Sequence, residues 1–216
     1  MKITALILAA GRGTRAGGAS PKQWQYLGNK RIIDHSINLF KAISRINNVM
    51  VVLHPDDLHL LNRSDVLITR GGLTRAESVR FGLEALKQNE EPDYVLIHDA
   101  ARPSTPLSVI NDVIDNLGRA DAVSPGLLVT DTLWEVIDEN VLQTKSRKNI
   151  WRAQTPQGFN FKKILDAHTA SSSTATDDVE VAMSAGIKVK VINGSEKNIK
   201  ITTSEDFDRV TAILGY

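Results

Sequence analysis

An almost unbroken apolar run, Ile3–Ala9, leads directly into Ala10-Gly11-Arg12-Gly13-Thr14-Arg15. A run of that kind reads as a strand buried on both faces, as in a parallel sheet covered by helices on each side. The glycines after it let a backbone approach a ligand closely, and successive N–H groups can cradle a phosphate. Arg15 and Lys22 add cationic heads beside that cradle, and Pro21 stiffens the chain just ahead of Lys22. Small residues, amides and two cations point to a triphosphate site. The spacing is not the GxxxxGK[ST] of a Walker loop, and Ala16 stands where the third glycine of GxGxxG would fall. A bare GxG after a strand would be an ordinary turn; Arg15, Pro21, Lys22 and Gln23 shift the reading toward a ligand.

The first half of the chain then alternates. Residues 24–30 read as a loop, 32–46 as a helix with Ile33, Ile37, Phe40, Ile43 and Ile46 on one face, and 49–53 as a second buried strand. His54-Pro55-Asp56-Asp57 opens a short helix with its carboxylates in the first turn. A third strand at 66–69 runs into Arg70-Gly71-Gly72. A helix over 74–88, a fourth strand over 94–98 and a helix over 106–117 follow. Such alternation predicts an α/β fold with a mostly parallel sheet and helices on both faces. Ligands in such sheets sit beyond the carboxyl ends of the strands. The loops at 9–15, 71–75 and 98–103 all fall there.

After Ala120 the pattern changes. Residues 123–129 are apolar but broken by Pro125 and Gly126. Residues 132–137 and 141–145 flank Asp138-Glu139-Asn140 and read as a hairpin, which is marginal alone in water and needs a packing surface such as a partner subunit. Residues 151–159 read as a polar loop and 161–170 as a helix. The small residues 171–176 resemble a linker, with Thr176 a helix N-cap for 177–185. Strands at 187–192 and 198–202 precede a helix capped by Ser204-Glu205-Asp206 and running through Leu214.

A chain of 216 residues at formal net charge +1 is read as one domain with no global field to attract nucleic acid. No stretch approaches the length of a membrane span. The sequence holds no cysteine, which rules out disulfides, thiolate metal sites and cysteine nucleophiles. The start of the chain loosely imitates a short signal peptide, but cleavage would remove the strand that feeds the glycine loop, so a cytoplasmic location is expected.

The motifs LAAGRGTR (8–15), PKQ (21–23), GGLTRAESV (71–79), HDAARP (98–103), TDTL (130–133), QTPQGF (154–159), TDD (176–178) and NIKIT (198–202) occur in this order along nearly the whole chain. Together they resemble the 2-C-methyl-D-erythritol 4-phosphate cytidylyltransferase family; ribitol 5-phosphate cytidylyltransferases share most of them. The resemblance implies a Rossmann-like nucleotidyltransferase fold, a homodimer built through a protruding β-hairpin arm at about 132–147, and Mg²⁺ dependence with CTP as co-substrate. It implies that Ala9, Ala10, Gly11 and Gly13 wrap the triphosphate, with Arg15 and Lys22 contacting it. Gly72 and Ser78 would lie near cytosine and ribose, and Ala100 in the nucleotide site. Asp99 would hold the metal and help bind substrate, and Lys200 would reach the reacting phosphates. Thr132 and Arg147 would bind the polyol phosphate across the dimer interface, while Arg102 and Thr176 line the acceptor pocket. Trp24 stands where tyrosine or phenylalanine is usual. Leu73 stands where some members carry an aspartate, so no role is carried over to it.

The implied reaction is attack of a phosphate-monoester oxygen on the α-phosphorus of CTP. That nucleophile is already anionic near neutral pH, which suits a sequence with no evident Ser-His-Asp set; positioning and fixed cations supply the catalysis. Each residue also has a plainer role open to it. Lys200 between Ile199 and Ile201 fits the solvent face of a strand, Asp99 a turn after a strand, and Arg147 in KSRK a solvated basic cluster. His98 reads as structural. A ribitol 5-phosphate enzyme and a non-catalytic nucleotide-binding module are the alternatives; keeping Arg15, Lys22, Asp99 and Lys200 together argues against the latter.

Overall fold

A computed structural model describes residues 1–12, 21–89, 91–171 and 175–216. Gly13 and Arg15 therefore lie outside the described residues. The main sheet is built on β1 (Ile3–Ala9), whose two neighbours, β4 (Asn48–Leu53) and β6 (Tyr94–Asp99), both run parallel to it. β5 (Leu67–Arg70) extends the parallel set beyond β4. On the other side, β11 (Gln157–Asn160) lies antiparallel between β6 and β7 (Ala122–Leu128). β7 also pairs antiparallel with β10 (Trp151–Ala153) and parallel with β12 (Val189–Asn193).

Alternation along β1 divides the core. Ile3, Ala5 and Ile7 pack with Ile33, Ile37 and Phe40 of α1 (Ile32–Lys41) and with Ile110, Val113 and Ile114 of α3 (Leu107–Asn116). Leu6 faces the other way, toward Val79, Leu83 and Leu86 of α2 (Arg75–Asn89) and Phe161 and Ile164 of α4 (Phe161–Ala170). α5 (Asp178–Ser184) joins that layer through Val181 and Ala182. Both faces of the sheet are thus dry, as the apolar run of β1 requires; each large side chain buried there contributes about 1.5–3 kcal/mol. A smaller cluster seats α6 (Ser204–Leu214), through Val210, on Leu27, Ile32 and Ile201. Among the described residues no helix is long and apolar enough to cross a membrane.

Several expectations need correction. The 24–30 segment is not a plain loop: it holds the two-residue strands β2 (Tyr26–Leu27) and β3 (Lys30–Arg31). The helix expected over 32–46 ends at Lys41, and successive turns, Ile43 N–H to Phe40 O and Ile46 N–H to Ile43 O, keep Ile43 on the core without a helix. Pro125 and Gly126 do not break β7, because Pro125 keeps its acceptor and takes the Gln154 N–H at 2.9 Å. The polar loop expected over 151–159 is β10 and β11. Its buried polar residues have remote partners: Gln154 Oε1 accepts from Ser195 N, and Thr155 meets His98. The strand expected over 198–202 is an irregular strut joined to the loop after β6 by Ile201 N–H donating to Ala101 O at 2.9 Å. Asp177, not Thr176, caps α5, accepting the Glu180 N–H at 2.9 Å.

The hairpin is as expected: β8 (Leu133–Ile137) and β9 (Asn140–Lys145) pair antiparallel as a separate two-stranded sheet. Asp138 and Glu139 both take positive φ, 48° and 64°, the conformation a tight two-residue turn demands. Trp134 is 63% and Leu142 59% exposed, so the chain's own body does not cover this arm.

Candidate active site

The carboxyl ends of β1, β5 and β6 converge on a cavity of about 330 Å³. Ala9, Ala10 and Gly11 form one wall, Gly72 and Ser78 another, and Asp99 and Ala100 the floor. Lys22 and Lys200 complete the lining. All nine were expected there from the sequence.

Local chemistry explains each wall. Gln23 donates through Nε2 to Ala9 O at 2.9 Å and Gly11 O at 3.1 Å, tying the exit of β1 to the chain that returns at residue 22. Among the described residues, a Cβ on Gly11 would meet nothing within 4 Å. On the facing wall a Cβ at Gly71 would come within 2.5 Å of the Ala10 Cβ, and only glycine permits that approach. Ser78 Oγ donates to Thr74 O at 2.9 Å and accepts from Gly72 N at 3.1 Å. Thr74 Oγ1 accepts the Glu77 N–H, while Glu77 Oε2 accepts from Leu73 N and Thr74 N, a reciprocal cap that starts α2 at the cavity edge.

Asp99 is the electrostatic centre. Its Oδ2 lies 2.8 Å from Lys200 Nζ and 3.7 Å from Arg102 Nε; its Oδ1 lies 3.8 Å from Arg75 Nε. Burial alone would raise this carboxyl, but Lys200, Arg75 and Arg102 together hold it well below the usual carboxylate range. Lys22 Nζ donates to Ile201 O at 2.8 Å, placing it on the same strut that carries Lys200. Arg75 has a second partner behind the cavity: its NH2 lies 2.6 Å from Oδ2 of Asp178, which is fully buried. Burial would raise the Asp178 carboxyl too, yet Arg75 and His168 keep it below its ordinary value.

His98 sits directly behind Asp99. Its Nε2 faces Arg102 O at 3.2 Å, and a carbonyl only accepts, so Nε2 carries the proton. Nδ1 then accepts from Thr155 Oγ1 at 3.0 Å, and the same oxygen accepts the Asp99 N–H at 3.2 Å. Burial, reinforced by Arg102 and Lys200, pushes the imidazole down to about 3. With both nitrogens engaged and the ring held neutral near neutrality, His98 is a structural prop, as expected.

Four expected residues do not line the cavity. Arg102 is buried behind Asp99, where its NH1 donates to Asn198 O at 2.8 Å. Thr176 bonds Glu180 through both its N–H and its hydroxyl. Thr132 and Arg147 are exposed at the base of the arm, Arg147 donating to Thr130 O. Conversely, Gln23 and Arg75 line the cavity without having been assigned a role, although both lie inside the PKQ and GGLTRAESV motifs.

Among the described residues no group of three or more His, Asp or Glu side chains could hold a metal unaided. Asp99 fits a Mg²⁺ that arrives with phosphates, because that ion takes one or two carboxylates and fills its other positions with phosphate oxygens and water.

The same architecture occurs in known proteins. A crystal structure of 2-C-methyl-D-erythritol 4-phosphate cytidylyltransferase from Francisella tularensis matches 99% of this chain and all of its own length, at TM-score 0.86 and 28% identity. The bifunctional IspDF of Campylobacter jejuni matches 97% of this chain and 54% of its own, at TM-score 0.85 and 26% identity. In sequence, the chain is 46% identical to the bifunctional enzyme IspD/IspF of Rhodobacter capsulatus across 99% of its length, and spans 56% of that relative. It is 45% identical to the 2-C-methyl-D-erythritol 4-phosphate cytidylyltransferase of Roseobacter denitrificans, covering 97% of it. The family model described as "IspD: 2-C-methyl-D-erythritol 4-phosphate cytidylyltransferase" matches residues 3–216. With the glycine walls, the lysines beside Asp99 and this match over residues 3–216 in agreement, the chain belongs to the 2-C-methyl-D-erythritol 4-phosphate cytidylyltransferase family.

Proposed function

We propose that this chain joins CTP to 2-C-methyl-D-erythritol 4-phosphate, giving 4-diphosphocytidyl-2-C-methyl-D-erythritol and pyrophosphate for non-mevalonate isoprenoid biosynthesis. The observation that carries the reading is the gathering of Lys200, Arg75 and Arg102 around one carboxylate, Asp99, in a cavity that Lys22 and the glycine walls also line. An acceptor phosphate oxygen attacks the α-phosphorus, a new P–O bond forms, and the α–β bridging P–O bond breaks to release pyrophosphate. No base is needed, which agrees with the engaged and neutral His98. The backbone of Ala9–Gly11 and Lys22 hold the β- and γ-phosphates, joined in this reading by Gly13 and Arg15. Gly72, Ser78 and Ala100 flank the nucleoside, and Lys200 neutralises charge at the reacting phosphates. Mg²⁺, held by Asp99, supplies further neutralisation of the phosphates when bound.

The reading takes the chain as one nucleotidyltransferase domain, working in the cytoplasm as a homodimer. The bare apolar arm supports the dimer, since an isolated hairpin is marginal in water. Thr132 and Arg147 then serve the acceptor phosphate of the partner's site, and Arg102 and Thr176 border the acceptor side of their own.

A pyrophosphate-release assay tests this directly. Release with CTP and 2-C-methyl-D-erythritol 4-phosphate, and not with ribitol 5-phosphate, is expected. Lys22→Ala is expected to lower kcat by roughly 10²–10³-fold, as loss of a preorganised charge donor does. Near wild-type turnover in that variant would remove Lys22 from the mechanism.

A further inference from the structure

Asp57 lies outside the cavity, on the 3₁₀ turn Pro55–Leu60 that follows β4. Its side chain is only 6% exposed, yet both oxygens are used. Oδ1 accepts from Arg12 NH1 at 3.0 Å, and Oδ2 accepts from Trp24 Nε1 at 2.9 Å. Arg12 directly follows the Ala9–Gly11 wall; Trp24 directly follows Lys22 and Gln23. One buried carboxylate therefore holds both flanks of the glycine loop.

The contacts around it leave each flank little freedom. Arg12 NH2 also reaches Asp56 Oδ2 and His54 Nδ1, both at 2.6 Å. The Arg31 guanidinium lies 5.2 Å from the Trp24 ring centroid. Gln23 adds the bonds to Ala9 O and Gly11 O described above. A phenylalanine at position 24 could fill the same space but could not donate to Asp57.

We propose that Asp57 is a positioning residue for the nucleotide: by fixing Arg12 and Trp24 at one point it sets the distance and orientation between the Ala9–Gly11 wall and Lys22. The proposal rests on the assignment of the cavity to CTP. It makes the fastening an ion pair on one side and a hydrogen bond from a neutral donor to the carboxylate on the other. Asp57→Asn keeps an acceptor for the indole and removes the charge facing Arg12, whereas Asp57→Ala removes both. Misplacing a phosphate cradle by about 1 Å is enough to cost on the order of a hundredfold.

The test uses the full chain and two readouts, CTP binding by calorimetry without acceptor and steady-state KM for each substrate. Asp57→Asn is expected to weaken CTP binding and raise the KM for CTP by about tenfold to a hundredfold, as loss of a charge-assisted bond does, with the acceptor KM unchanged. Trp24→Phe is expected to weaken CTP binding in the wild-type background and to add nothing to Asp57→Ala, because the acceptor is already gone. A folded Asp57→Asn variant with wild-type CTP affinity, or one in which both KM values rise together, overturns the proposal. A wild-type chain that binds CTP without transferring it, in a background where Asp57→Asn still weakens binding, refutes the transfer reading and leaves this one standing.

Discussion

Acidification should act on this protein first through His98. The imidazole is fully buried, bonded at both nitrogens and pushed down to about 3, against an ordinary value of 6.5. The unfolded chain takes a proton there below about pH 6.5, and the folded chain refuses it until about pH 3. Stability contributed by this group is therefore complete above pH 6.5 and falls as the pH drops, by about 1.4 kcal/mol per unit. Integrating from about pH 6.5 to pH 4.5 gives a loss of about 2 kcal/mol. Asp99 and Asp178 do not interfere in that window. Their folded values are depressed, so the stability they add is present above the ordinary carboxylate value of 3.8 and is lost only below it. Urea unfolding of wild type and His98→Gln at a series of pH values measures the difference. The variant is weaker at pH 7, since it loses a bond, but its free energy of unfolding should fall less steeply over the window by about 2 kcal/mol. Equal slopes in the two proteins, or an NMR titration showing His98 protonated well above pH 5, would refute the reasoning.

Two further outcomes can be measured without new structures. Gly71→Ala places a methyl within 2.5 Å of the Ala10 Cβ and 2.8 Å of Ser78 Oγ, so overpacking of about 1–3 kcal/mol should lower the melting temperature and weaken calorimetric CTP binding. Binding as tight as wild type would mean the two walls can part freely. Trp134→Asp on the arm should shift sedimentation from dimer toward monomer, because buried aromatic anchors are worth about 2 kcal/mol or more at interfaces; a wild-type chain sedimenting only as monomer at working concentration would discard the dimer.

The parts of the molecule legible in the sequence are those written in periodicity. The apolar run at 3–9, the helical spacing of Val79, Leu83 and Leu86, and the hairpin around Asp138 each depend on neighbours in the chain. The turn at Gly71-Gly72 was legible for the same reason, since strand ends and turns are local events; of the loop expected at 9–15, only residues through Arg12 are among the described ones. What was not legible depends on remote partners. Gln154 and Thr155 look like loop residues until Ser195 and His98 satisfy them. Arg75 acquires its place from Asp178, 103 residues away. Lys200 alternates like a strand residue, but its backbone forms a strut and its ammonium reaches Asp99. Asp57 reads as a helix-start carboxylate and carries no sign that Arg12 and Trp24 will meet on it.

The position of β11 bears on how the chain is made. β6 and β7 do not touch along their ladders; the short strand at 157–160 wedges between them and pairs with both. A nascent chain that has emerged only as far as the arm thus carries β6 with one edge unpaired and β7 with none of its partner strands yet made. Synthesis must continue past Asn160 before the two halves of the sheet become one, and a ribosome stalled earlier would present those edges to any neighbouring polypeptide.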